Sequence, residues 1–100
     1  MTVRIVVRAT PREEDQEAFE AAYREVTRVV RGTPGHLHDE LLRDAEDSRT
    51  YILLAEWENE QAFRAWEDNP QHLKTAEPML PYWGDNGVQR QIFEVRARME

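Results

Sequence analysis

Three patterns in the sequence predict an α+β domain built on one antiparallel sheet. Val3, Ile5 and Val7 alternate with Arg4 and Arg8. Phe19, Tyr23, Val26 and Val30 recur every three or four residues, and the runs His36–Arg43 and Thr50–Trp57 flank Ala45–Ser48. The first is the period of a strand with one buried face, the second that of an amphipathic helix, the third that of a hairpin.

After the first strand, Thr10 is placed to cap a helix, Pro11 suits its first position and Glu13 completes a capping box. Ala18 and Ala22 flank the apolar stripe, while Glu14, Asp15, Glu20 and Arg24 take the outer side. Gly32-Thr-Pro-Gly35 ends the helix, with Gly32 in the left-handed position. The hairpin follows. A second helix starts at the cap Asn59 and carries Ala62, Phe63 and Trp66 on one face. Asn69-Pro70 breaks it and caps a short helix through His72 and Leu73. Pro78, Pro81, Gly84 and Gly87 make Glu77–Gly87 irregular, and Val88–Ala97 is a final strand. The order is βαββαβ, the ferredoxin-like order, with helices on one sheet face only. The uncovered face still carries apolar residues, which argues for a homodimer.

At 100 residues the chain is expected to be a single domain, residues 1–100, with a thin core. Its 40% apolar and 33% charged content is that of a globular chain. A net charge of −7 argues against a nucleic-acid partner. No apolar run approaches membrane-spanning length and no signal segment is apparent, so no membrane partner and a cytoplasmic location are expected. Cysteine is absent, which removes thiolate catalysis and cysteine metal sites. The twelve arginines look scattered over solvated faces, beside a single lysine, Lys74.

His36 and His38 stand two apart on a predicted strand, so strict alternation puts both on one face with Glu40. That spacing is weak as a metal pair, and no metal site is expected; His38, inside the strand, is the better pocket residue. Trp57 ends a strand, and Trp66 must face the sheet, as core and pocket wall together. His72 is at the third position after the cap Asn69, where the helix dipole opposes the imidazolium and leaves a ring able to accept a proton. Tyr82-Trp83 is placed to form a flap or a plug over the helix–sheet gap. No phosphate-binding glycine loop, nucleophile elbow or zinc motif is present.

Gly32–His72 resembles the antibiotic biosynthesis monooxygenase (ABM) family. The resemblance rests on Pro34-Gly35, Glu40-Leu41, Leu42-Arg43-Asp44, Glu56-Trp57, Ala62-Phe63 with Trp66, and Pro70 with His72. It implies a dimeric α+β barrel with a pocket between helices and sheet in each subunit. It further implies a cofactor-independent monooxygenase that oxidises an aromatic polyketide, anthrone or quinol-type substrate with O₂, without metal or flavin. On that reading His72 is the base, His38 the competing base or phenolate donor, and Trp66 orients the ring. Tyr51, Trp57, Phe63, Asn69 and Tyr82 then line the substrate site. A polyketide cyclase or isomerase and a non-catalytic binding dimer are the alternatives within the same fold. The haem-degrading branch has an asparagine on the first strand and a histidine ten positions after the tryptophan. Here the first strand has no asparagine and the tenth position after Trp66 is Ala76. The polyketide branch commonly has an asparagine one turn before the tryptophan, where this chain has Ala62.

Overall fold

The computed structural model describes residues 2–84 and 88–100. Strands β1 (Val3–Ala9), β2 (His36–Arg43), β3 (Tyr51–Trp57) and β4 (Gln89–Glu94) form one antiparallel sheet in the order β2-β3-β1-β4. Helices α1 (Gln16–Val30), α2 (Glu60–Glu67) and α3 (Pro70–Ala76) belong to the layer that covers one of its faces. The ferredoxin-like architecture follows from the element order, as the periodicity predicts.

Register decides the faces. Val3, Ile5, Val7 and Ala9 stand opposite Trp57, Ala55, Leu53 and Tyr51, and these pairs form the covered face. Arg4, Val6 and Arg8 stand opposite Glu56, Leu54 and Ile52 on the outer face, where Arg4 and Glu56 approach to 3.4 Å.

The β2–β3 pairing slips by one residue between His36 and His38. His36 is opposite Trp57, but His38 is opposite Glu56. Leu37 is the extra residue of a bulge, and a bulge reverses the parity of everything before it. The two histidines therefore take opposite faces, which corrects the expectation that they share one. His36 points to the covered side and edges onto the Trp57 ring at 5.2 Å; His38 lies outside, 3.1 Å from Glu40.

Two clusters divide the core. One holds Val3, Ile5, Val30, Trp57 and Phe63; the other holds Ala9, Phe19, Ala22, Tyr51 and Met79. Glu77–Tyr82, expected to be irregular, is a 3-10 helix, because Pro78 and Pro81 fix φ while the chain keeps turning over α1. It drives Met79 into the second cluster, and Trp83 edges onto Phe19 at 5.9 Å. Of the two expected forms, flap or plug, the segment takes the second, and it fills one end of the gap only. Gly87, placed in the same irregular segment, lies outside the described residues.

Two further boundaries differ from expectation. The chain enters α1 through a 3-10 turn at Glu13–Asp15, and no side chain caps either start. Thr10 instead donates its backbone N–H to the Trp83 carbonyl at 3.0 Å, which ties the plug to the end of β1. The last strand is shorter than predicted because its pairing with β1 runs only from Gln89 to Glu94. Asn59 and Asn69 do cap α2 and α3, accepting from the N–H groups of Ala62 and Gln71 at 2.8 and 2.9 Å.

Gly32 and Gly35 have φ of +93° and +88°. A Cβ on Gly35 would also collide with the Ala62 side chain on α2, whereas one on Gly32 meets open space. Gly35→Ala is expected to cost more than Gly32→Ala, by about 1–3 kcal/mol of added strain. Urea unfolding of the two variants checks this; equal losses would mean that α2 yields freely to β2.

Candidate functional site

The plug leaves the other end of the helix–sheet gap unfilled. A cavity of about 140 Å³ remains there. Its floor is Ile5, Val7, Leu53, Ala55 and Trp57 on the sheet, consecutive inward positions of β1 and β3. Val26 and Val30 of α1 form one wall, and Phe63 and Trp66 of α2 form another. His72 of α3 completes the lining, its ring 5.5 Å from that of Trp66 at 75°.

Local structure explains these placements. Phe63 and Trp66 are three apart, so both side chains fall on the sheet-facing side of α2. Trp57 meets Phe63 edge-on at 5.7 Å, which anchors α2 over the strand end. Arg90 of β4 reaches across to Glu67 with two bonds of 2.9 and 3.0 Å and lies over the Phe63 ring at 5.8 Å. That fork holds the outer side of α2 against the sheet. The cap at Asn69 and the bond from His72 N–H to the Asn69 carbonyl, 2.8 Å, turn the chain so that the imidazole returns to the cavity.

Polar groups gather at the rim between α1 and β2. The Asp39 carboxylate accepts from the Thr27 hydroxyl at 2.9 Å and lies 2.7 Å from His36 Nε2. The His36 side chain is only 7% exposed and that of Asp39 18%. A buried imidazole and carboxylate are costly unless paired, and here each satisfies the other. Asp39, Thr27 and Tyr23 also line the cavity. Burial, then the nearby Asp39 charge, pushes the Tyr23 phenol above its ordinary value. Tyr23 is therefore a hydrogen-bond donor at neutral pH and not a base.

The sequence-predicted site residues separate into two groups. Trp57, Phe63, Trp66 and His72 come together around the cavity. His38, Tyr51, Asn69 and Tyr82 are not among its lining. His38 stands on the outer face. Tyr51 is fully buried in the second cluster, where its hydroxyl donates to Glu20 at 2.6 Å. Asn69 is engaged as a cap, and Tyr82, part of the plug itself, packs against the second cluster. Sequence reasoning missed Asp39, Thr27 and His36 as rim groups. Thr27 follows Tyr23 by four residues on α1, a legible helical pair. Asp39 and His36 became neighbours through the Leu37 bulge, which leaves no mark in a single sequence.

The antibiotic biosynthesis monooxygenase family matches residues 2–78. The 42.8 kDa protein in the whiE locus of Streptomyces coelicolor is 34% identical over 77 residues, 77% of this chain and 19% of that protein. This chain therefore spans about a fifth of that relative's length. A haem oxygenase (mycobilin-producing) of Mycobacterium tuberculosis is 36% identical over 42 residues, 42% of this chain and 40% of that protein. Among solved structures, SnoaB, a cofactor-independent oxygenase from Streptomyces nogalater, superposes with a TM-score of 0.83 at 22% identity, covering 98% of this chain and 96% of that one.

The rim network carries a measurable energy. Thr27→Val removes one of two bonds to Asp39 and is expected to cost about 1 kcal/mol. Asp39→Leu strands the buried His36 and costs about 1–3 kcal/mol. Because both act on one carboxylate, the double variant should lose less than the sum of the two. Urea unfolding of the three variants tests it, and strict additivity would show that the network is not coupled.

Proposed function

The chain belongs to the antibiotic biosynthesis monooxygenase family, and from that premise we propose that it is a cofactor-independent oxygenase of a small, electron-rich aromatic substrate. The observation that carries the reading is the apolar cavity with Trp66 and His72 side by side in its wall. Likeness in fold to a cofactor-independent oxygenase supports it. The cavity is smaller than the roughly 300–1,000 Å³ of ordinary ligand sites, so it suits one end of a fused-ring phenol or anthrone.

In the proposed reaction His72 takes a proton from the activated ring carbon or phenol of the substrate. The resulting anion gives one electron to O₂, and the radical pair combines to form a C–O bond. The proton held by His72 returns to the peroxide oxygen. Loss of the second hydrogen from that carbon, with cleavage of the O–O bond, releases water and leaves the carbonyl. Trp66 orients the ring, Trp57 and Phe63 exclude water, and Tyr23 faces the developing oxyanion as a donor. A dry cavity makes that donor stronger than it would be in water.

The partial likeness to a haem oxygenase makes haem degradation the second reading. Two features weigh against it: Ala76, ten positions after Trp66, has no ligating atom, and the first strand has no asparagine. The cavity is also narrow for a macrocycle.

The partner of highest rank is a second copy of the chain. Val6, Leu42, Ile52, Leu54 and Phe93 share the outer face by register, and Leu42 and Phe93 are 41% and 48% exposed. Such a face is expected to close on its own copy.

Two measurements test the reading. Metal-free protein should consume O₂ with an anthrone or a hydroquinone, and both His72→Ala and Trp66→Phe should lower the rate by about 10²-fold or more while the fold persists. Absence of uptake across such substrates overturns the oxygenase; turnover without O₂ would indicate a cyclase instead. For assembly, light scattering should give a dimer, and Leu54→Arg on the outer face should give a monomer. A monomeric unsubstituted chain would refute the pairing.

A further inference from the structure

The oxidation written above leaves one hydrogen without a group to remove it. His72 takes the first hydrogen of the reacting carbon and hands its proton to the peroxide, so the peroxide stands on the ring face that His72 reaches. At a tetrahedral ring carbon the remaining hydrogen then points to the opposite face. A second base is needed there, and it has to come from another wall.

The lining of the cavity offers one. Only His72 and Asp39 among its residues carry a group that accepts a proton at neutral pH. The Tyr23 phenol, raised by burial and then by the Asp39 charge, keeps its proton. Asp39 belongs to β2 and His72 to α3. On the sheet Asp39 pairs with Ala55, the smallest side chain of the floor, so its neighbour crowds it least.

One oxygen of Asp39 makes both of its hydrogen bonds. Oδ2 meets Thr27 Oγ1 at 2.9 Å and His36 Nε2 at 2.7 Å. An ionised carboxylate only accepts, so both neighbours donate to it. No hydrogen bond among the described residues engages Oδ1. His36 is held in turn, since its side chain is 7% exposed and its ring lies edge-on to Trp57 at 5.2 Å. The bridge thus fixes the carboxylate and leaves one oxygen free.

We propose that Asp39 is a second catalytic base, and that it gives the chain a further activity: conversion of a secondary benzylic hydroperoxide to a ketone and water, without O₂. Oδ1 takes the hydrogen from the carbon that bears the peroxide. The C–H electron pair becomes the second bond of the carbonyl, the O–O bond breaks and hydroxide leaves. Tyr23 donates a hydrogen bond to the departing oxygen. The proton then passes from Asp39 to the hydroxide, which gives water and restores the carboxylate. Carbon loses two electrons and the peroxide gains them, so no other oxidant or reductant takes part. His36 and Thr27 are positioning residues. The activity deepens the oxygenase reading and rests on it for the source of the hydroperoxide.

Metal-free protein under nitrogen with 1-phenylethyl hydroperoxide, whose single ring suits a cavity of about 140 Å³, tests the assignment. Acetophenone should form about 10²-fold faster than in buffer, and deuterium on the peroxide-bearing carbon should slow it severalfold. Asp39→Asn, which keeps the shape of the bridge, should lose about tenfold or more of that rate. Glu40→Gln, a charge loss on the outer face of the same strand, should lose none. Added formate should restore part of the rate to Asp39→Ala by supplying the missing carboxylate. No acetophenone above the buffer rate, no isotope effect, or 1-phenylethanol as the main product each overturns the proposal, and all three are read on the unsubstituted protein. A rate untouched by Asp39→Asn, or no rescue by formate, overturns the role of Asp39. The two readings fail separately. Asp39-dependent ketone formation without O₂ uptake on an anthrone keeps this activity and sinks the oxygenase, and O₂ uptake by a protein that leaves the hydroperoxide intact does the reverse.

Discussion

The register of β3 is the constraint on which the site depends. Each residue of β3 pairs with β1 on one side and β2 on the other, so one alignment assigns faces to three strands at once. Because side chains alternate with a period of two, a slip of one residue exchanges core for surface. Between β1 and β3 there is no slip, and the inward residues form an unbroken apolar floor. Between β2 and β3 there is one, at Leu37, and it separates the two histidines onto opposite faces. Without it His36 would lie outside with His38, and Asp39 would face the cavity rim with no imidazole to satisfy it.

The covering layer is uneven, and this creates the cavity. At the Phe19 end, the 3-10 helix and Trp83 fill the space between α1 and the sheet, leaving Met79 and Tyr51 about 1% exposed. At the Trp57 end, α2 and α3 are short and turn sharply at Asn69-Pro70, so they roof the sheet without filling it. Aromatic rings make the walls because they span wide gaps with little loss of conformational entropy. The edge-on contact of Trp57 with Phe63 sets the roof on the floor, and that of Trp66 with His72 joins α2 to α3 within the roof. One end of the gap thus serves stability, and the other is free for chemistry.

Much of the fold was legible because each element carries its own period. The strand β1, the stripe of α1, the caps Asn59 and Asn69, and the bounds of β2 all follow from local residue choice. Two elements were not. The helix start at Thr10-Pro11 has the residues of a capping box, but the Thr10 backbone is taken by Trp83, a contact made across more than seventy residues. The segment after Ala76 has two prolines, which read as irregular, yet both fit a 3-10 turn packed on α1. Half of the site was legible in the same way. Trp57, Phe63, Trp66 and His72 sit on periodic elements whose inner faces can be counted. Tyr51 and Tyr82 share the aromatic character of a pocket wall, but they fall on the filled side of the plug.

The sequence by itself determined the element order, the apolar face of each element and the absence of thiol chemistry, since all three depend on residue type and local spacing. Tertiary structure alone decided which histidine meets a carboxylate and which end of the gap stays empty. The bulge is a property of two paired strands, and the plug is a property of a segment folding back on α1. Each requires residues distant in sequence to meet, and that meeting is governed by packing rather than by local period.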